Sequence, residues 1–167
     1  MFIEELIDKS HNRKSFNCGE PALNDYLQKL ARQDTKNNVS KTYVAISSND
    51  SNKKIIGYYT VTPSSINFDD LPNSLSKGLA KRAVPVYLLC RLAIDVHFQN
   101  NGFGGQLLIL AGYRCLKVAE QIGGIGLFIE AKNQVVAKWY ESFGAIPLSS
   151  AQKLIIPFET IKQALKT

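Results

Sequence analysis

Apolar positions recur along this chain at two periods, and the alternation between them divides it into strands and helices. Phe2 to Ile7 reads as a short first strand. Gly19 and Pro21 mark a break, with proline placed where the first turn of a helix tolerates it. Leu23, Tyr26, Leu27 and Leu30 then give a helical apolar face through about Arg32. Lys41 to Ser47 and Lys54 to Ser65 are rich in β-branched and aromatic residues and flank a polar turn, which predicts a hairpin. Pro63 places the end of its second strand near a sheet edge or a break. Residues 67–85 are mixed, with Leu75, Leu79 and Ala83 spaced to line a short helix.

The stretch from Leu88 to Leu108 organises the rest. Leu88, Leu89, Leu92, Ile94 and Val96 read as a buried strand, a glycine-rich turn follows, and Leu107, Leu108, Ala111, Tyr113, Cys115, Val118 and Ile122 recur at mostly helical spacing. Gly123 and Gly124 end that helix. Ile125 to Ala131 is a further strand, and Gln134 to Phe143 a helix closed by Gly144. Ile146 to Leu148 and Lys153 to Ile156 are two short strands, and Phe158 to Lys166 a terminal helix. Roughly six or seven strands and four helices, with hairpins first and strand–helix units after, predict an α/β or α+β fold. It is a mixed sheet with helices on both faces. No repeat, linker or low-complexity tract divides residues 1–167, so one domain is expected.

Composition changes this picture little. With 167 residues, 45% hydrophobic and 20% charged, the chain is ordinary and globular. Its apolar runs are too short for a membrane span and its N-terminus lacks a signal-peptide core, so a cytoplasmic location is expected. Cys18, Cys90 and Cys115 are widely spaced, there is no Cys-x-x-Cys, and histidines number two, so no metal site is expected. The net charge of +6 fits either solvated lysines or an anionic partner. Two basic clusters stand out: Lys29, Arg32 and Lys36, which form one stripe if the helix runs that far, and Lys77, Lys81 and Arg82.

The turn itself reads Gln99-Asn100-Asn101-Gly102-Phe103-Gly104-Gly105. A glycine turn between a strand and a helix leaves the first N–H groups of the helix unpaired, at the positive end of its dipole. That makes an anion pocket suited to phosphate. The spacing misses the Rossmann fingerprint and lacks the Gly-Lys-Ser/Thr of a Walker loop. Farther on, Asn133, Ala137 and Tyr140 share one helical face, with Asn133 at the junction where its side chain can cap the helix.

Gln-x-x-Gly-x-Gly at 99–104 resembles the acyl-CoA pyrophosphate loop of the GNAT superfamily of N-acetyltransferases. Trp139-Tyr140-x-x-x-Gly144-Ala145 resembles that superfamily's Phe-Tyr-x-x-x-Gly-Phe segment, with Trp139 and Ala145 as departures. Phe16-x-Cys18-Gly19-x-x-x-Leu23-x-x-Tyr26-Leu27, Gly57-Tyr58-Tyr59-Thr60-Val61, Arg91-Leu92-Ala93-Ile94-Asp95 and Ala131-Lys132-Asn133 stand around these motifs in order. The series covers nearly the whole chain and looks like the GNAT toxins of bacterial type II toxin–antitoxin modules. Asn100 departs from the glycine usual there, though asparagine tolerates left-handed backbone better than most residues.

The resemblance implies a mostly antiparallel mixed sheet and transfer of acetyl from acetyl-CoA, as co-substrate, to a primary amine. It implies that the backbone of Gln99 to Gly105 holds the pyrophosphate, that Leu92, Ala93 and Ile94 pair with pantetheine, and that Asn133 holds pantetheine or a water. Tyr140 would be the general acid for the leaving thiolate. No base stands out; His11 and His97 rank below a water. Arg91 pairs with Asp95 or helps place substrate. The implied partners are aminoacyl-tRNA as substrate, met by the two basic clusters, a cognate DNA-binding antitoxin, and a second copy in a homodimer. Two alternatives stay open: a GNAT enzyme acting on a small amine, peptide or protein lysine, and a non-catalytic CoA- or protein-binding module.

Overall fold

The computed structural model describes residues 2–150 and 152–166. Seven strands form one mixed sheet in the order β1-β2-β3-β4-β5-β7-β6. They are β1 (Phe2–Leu6), β2 (Lys41–Ser47), β3 (Ile55–Ile66), β4 (Val84–Ile94), β5 (Gly126–Glu130), β6 (Ile146–Pro147) and β7 (Lys153–Pro157). The helices are α1 (Pro21–Lys29), α2 (Ala31–Lys36), α3 (Asn73–Ser76), α4 (Phe103–Ile122), α5 (Gln134–Glu141) and α6 (Phe158–Leu165). Among the described residues no helix is long and apolar enough to cross a membrane.

The chain packs as two compact units. The first takes the described residues up to Thr62 together with Cys90–Leu108. In it β1 and β2 are antiparallel, from Phe2 opposite Ser47 to Leu6 opposite Tyr43, and β2 and β3 form the expected hairpin. Ile55 to Val61 are all buried. Phe16, Leu27, Val44, Ile55 and Tyr58 share one apolar cluster, with Phe16 edge-on to Tyr58 at 5.6 Å. The Tyr58 hydroxyl donates to the Leu23 carbonyl at 2.7 Å, so its phenol is buried without an unmet donor.

Gly57 fixes how closely β3 approaches the end of β4. A Cβ built there would lie 2.8 Å from the Ala93 carbonyl oxygen, a backbone atom that cannot swing aside. Gly57→Ala is therefore expected to destabilise the protein by about 1–3 kcal/mol, the usual cost of overpacking. Urea denaturation of the variant beside wild type measures this.

The expected single helix through Arg32 is two helices. Leu30 leaves helical geometry (φ −121°, ψ −29°), ending α1 and starting α2. The kink brings the Tyr26 hydroxyl to the Asp34 carboxylate at 2.8 Å. On one straight helix residues eight apart lie about 12 Å apart along the axis, and a tyrosine points back toward the N-terminus.

The second unit takes Pro63–Leu89 and the described residues from Ile109 on. β4 and β5 are parallel over Tyr87–Leu89, β5 and β7 antiparallel, and β6 pairs with β7. Ile66, Val84, Val86, Phe128 and Ile155 form its apolar cluster. β3 carries Pro63 within it and ends at Ile66, one residue past the expected Ser65. The short helix expected over 75–83 is a single turn, α3. Leu75 packs on the cluster while Leu79 and Ala83 are exposed, so a longer helix would have no core for its apolar face.

Candidate active site

β4 runs five residues past its ladder with β5, to Ile94. A single 3-10 turn over Val96–Phe98 follows, and then the glycine turn. Asp95 joins these pieces. It is fully buried. Its backbone N–H donates to the Ile56 carbonyl at 2.8 Å. Its carboxylate accepts the Asn17 N–H at 3.0 Å, the His97 N–H at 3.0 Å and lies 2.9 Å from His97 Nδ1. Burial alone would raise this carboxyl, but those donors hold it below its ordinary range.

Arg91 and Asp95 do not pair with each other. Asp95 spends its oxygens on Asn17 and His97, and the Arg91 guanidinium carbon sits 3.4 Å from the centre of the Tyr26 ring, a cation–π contact. The two histidines are also engaged. His11 is buried, with Nδ1 accepting the Asp8 N–H at 3.1 Å, which leaves its proton on Nε2, 2.8 Å from Glu5 Oε1.

The glycine turn is held by its own amides. Gln99 Nε2 donates to the Cys18 and Ile94 carbonyls at 2.9 and 2.8 Å, and Asn101 Nδ2 to the Gln99 carbonyl at 3.1 Å. Asn100 takes the left-handed conformation (φ 65°) that the usual glycine would favour, and Gly102 follows at φ 80°. α4 starts at Phe103, inside the expected Gln99–Gly105 turn, so Gly104 and Gly105 lie in its first turn. The Gln106 N–H is the first to bond back, to Gly102 at 3.2 Å. Helical geometry therefore leaves the N–H groups of Phe103, Gly104 and Gly105 without a partner inside the helix. The Phe103 ring, edge-on to Phe2 at 5.5 Å and to Phe98 at 6.3 Å, anchors this start. The arrangement suits a pyrophosphate, with donors and dipole aligned on the same charge. Leu92, Ala93 and Ile94 form the last residues of β4.

In the second unit, Asn133 caps α5 as its position predicts, Oδ1 accepting the Val136 N–H at 3.0 Å. Tyr140 is 8% exposed, edge-on to Trp139 at 4.9 Å. Its hydroxyl bonds to none of the described residues. Burial pushes its phenol up to about 12, so at neutral pH it is a proton donor.

The basic residues fare differently. Lys29, Arg32 and Lys36, though split between α1 and α2, line one cavity of about 490 Å³. Lys9 and Arg13 line it too, and sequence spacing gave no sign of them, since they lie on a loop before α1 with no periodicity to place them. Lys77, Lys81 and Arg82 lie on the exposed irregular segment after α3.

No protein-family model matches the chain. Individual proteins do. A tRNA-acetylating toxin of Mycobacterium tuberculosis is 32% identical over 129 residues, which cover 77% of this chain and 75% of that one. The structure of AtaT complexed with acetyl-methionyl-tRNAfMet superposes with a TM-score of 0.92 at 29% identity, over 99% of both chains. A tyrosine-to-phenylalanine mutant of AtaT, bound to the C-terminus of the antitoxin AtaR and acetyl-CoA, does so at 0.83 and 26%, over 99% of both. The fold is that of the GNAT N-acetyltransferases. Within that superfamily the chain belongs to the tRNA-acetylating toxins of toxin–antitoxin modules.

Proposed function

We propose that this protein transfers acetyl from acetyl-CoA to the α-amine of aminoacyl-tRNA in the cytoplasm, blocking translation, and that a DNA-binding antitoxin restrains it. The observation that carries this reading is the 32% identity to a tRNA-acetylating toxin over 129 residues, about three quarters of each chain. The chain's own chemistry supports it. The N–H groups that open α4 hold the pyrophosphate of acetyl-CoA, and the backbone of Leu92 to Ile94 aligns its pantetheine. The neutral amine attacks the thioester carbonyl, forming the C–N bond, and the C–S bond breaks. Tyr140 gives its proton to the departing thiolate. The amine's surplus proton leaves through water, which also reprotonates Tyr140. The α-amine of an aminoacyl ester has a lowered pKa, so it needs no strong base, in keeping with two histidines already engaged in structural bonds. Asn133, its Oδ1 committed to the cap, has its amide N–H groups left for pantetheine or a water. Lys29, Arg32, Lys36, Lys77, Lys81, Arg82 and Arg91 supply positive charge toward the substrate's phosphates.

The test is transfer of radiolabelled acetyl from acetyl-CoA to total charged tRNA, with deacylated tRNA as control. Label is expected on the charged pool alone and is released when the ester is hydrolysed. An unlabelled pool, with acetyl-CoA still bound, would move the acceptor to a small amine or a protein.

A further inference from the structure

Gln152 stands in the turn between β6 and β7, where the Lys153 N–H donates to the Ser150 carbonyl at 3.3 Å. It holds left-handed backbone (φ 63°), which glycine and asparagine enter far more readily than glutamine does. A residue held in that conformation against its preference needs compensating contacts, and Gln152 makes three with one segment. Its carbonyl accepts the Ala131 N–H at 2.7 Å, one bond beyond the β5–β7 ladder that ends with Glu130 opposite Lys153. Its half-buried side-chain amide faces two further carbonyls of that segment. Acceptors on that side fix the amide nitrogen there: Nε2 donates to the Ala131 oxygen at 3.2 Å and to the Lys132 oxygen at 3.3 Å. Ala131 and Lys132 immediately precede Asn133, the N-cap of α5. The turn is itself fixed from its other side. Ser149 Oγ donates to Asp70 Oδ1 at 2.7 Å, and the Ser149 N–H to the Asp70 carbonyl at 3.4 Å. Gln152 therefore ties the start of α5 to a support outside β5 and α5. With only 8 residues, α5 inherits its direction from the chain that enters it, and Tyr140 stands near its far end.

We infer that Gln152 is a positioning residue for acetyl transfer: through Ala131, Lys132 and the Asn133 cap it sets the start of α5 and thereby the place of the Tyr140 hydroxyl. The inference rests on the reading of Tyr140 as proton donor given above. Gln152 acts through α5 and not on the reacting atoms, and every residue in this chain of contacts belongs to the second unit.

Gln152→Gly separates positioning from stability. It removes the side-chain donor but relieves the left-handed backbone, so the two effects on Tm oppose and Tm is expected near wild type. Gln152→Glu repeats the test with the side-chain length kept and a carboxylate set against the two carbonyls. Single-turnover acetyl transfer to total charged tRNA is expected to fall about tenfold in each, within the loss that a misplaced reacting group brings. Equilibrium binding of acetyl-CoA is expected to stay near wild type, because the backbone assigned to its pyrophosphate belongs to the other unit. Trp139 is the chain's single tryptophan and lies on α5 beside Tyr140, so it reads this helix directly. Its quenching by acrylamide is expected to rise in both variants. Added to Tyr140→Phe, Gln152→Gly is expected to cost about twofold or less, since residues acting as one unit are not additive. A purely structural role would give the full tenfold on that background as well, and that outcome overturns the inference. So does a wild-type rate in both Gln152 variants beside a crippled Tyr140→Phe, which leaves the reading of Tyr140 standing. Tyr140→Phe at the wild-type rate overturns that reading and this inference with it.

Discussion

Tyr140→Phe is expected to lower the rate of acetyl transfer by roughly 10²- to 10⁴-fold, the usual contribution of a positioned general acid. Acetyl-CoA affinity is expected to stay within about twofold of wild type, because a phenol that donates only to the leaving thiolate is used in the transition state and not in ground-state binding. The substitution is clean on structural grounds. The ring's contact with Trp139 at 4.9 Å survives, and the hydroxyl it removes bonds to none of the described residues. Single-turnover rates and equilibrium binding of acetyl-CoA, measured on both proteins, separate the two effects. A variant retaining a third or more of the wild-type rate would take Tyr140 out of the chemistry. The pH profile adds a second check. With the phenol pushed up to about 12, no loss of rate from Tyr140 is expected between pH 7 and about 10. Stability behaves oppositely at the alkaline end. The unfolded phenol ionises near ~10 and the folded one near 12, so the stabilisation from keeping Tyr140 neutral is present below pH ~10 and lost as pH rises toward 12.

Asp95→Ala is expected to be the most destabilising of these substitutions. It leaves the backbone N–H groups of Asn17 and His97 without their acceptor around a fully buried side chain. Unmet buried donors cost about 1–3 kcal/mol each, so a loss of roughly 2–5 kcal/mol is expected. At about 2–4 °C per kcal/mol for a domain of this size, Tm falls by roughly 5–15 °C. The loop that carries Gln99 to Gly105 loses its seat at the same time, so acetyl-CoA affinity is expected to fall even where the protein remains folded. The depressed carboxyl gives the sign of the acid dependence. Its stabilisation is present above the unfolded pKa of ~3.9 and is lost as pH falls through the lower folded value. Asp95→Asn, which keeps one acceptor oxygen and cannot titrate, is expected to lie between wild type and Asp95→Ala and to show a flatter acid limb. Thermal melts from pH 2.5 to 7 measure all three. A full Asp95→Ala melting temperature would mean that water satisfies those donors.

The chemistry-bearing pieces of this protein were legible in the sequence because each is local. A strand, a glycine turn and a helix follow one another at 84–122. An asparagine stands at the start of α5, and a tyrosine falls on the same face seven residues later. Periods of two and 3.6 residues and the preferences of glycine and asparagine specify such units from a few neighbours. Even the departure at Asn100 was readable, since the left-handed backbone it adopts is the conformation its side chain tolerates.

Only tertiary structure decided the supports beneath those pieces. Asp95 meets Asn17 across 78 residues of sequence and Gln99 meets Cys18 across 81, distances over which no local period carries information. Arg91, four residues before Asp95, lies over the ring of Tyr26 and not against that carboxylate. A spacing of three and four predicted one stripe for Lys29, Arg32 and Lys36. The kink at Leu30 instead wraps them, with Arg13, around a cavity. Sequence patterns fix which way a residue faces along its own element. Which charges end up lining one cavity depends on where the packed elements put them, and no period along the chain carries that.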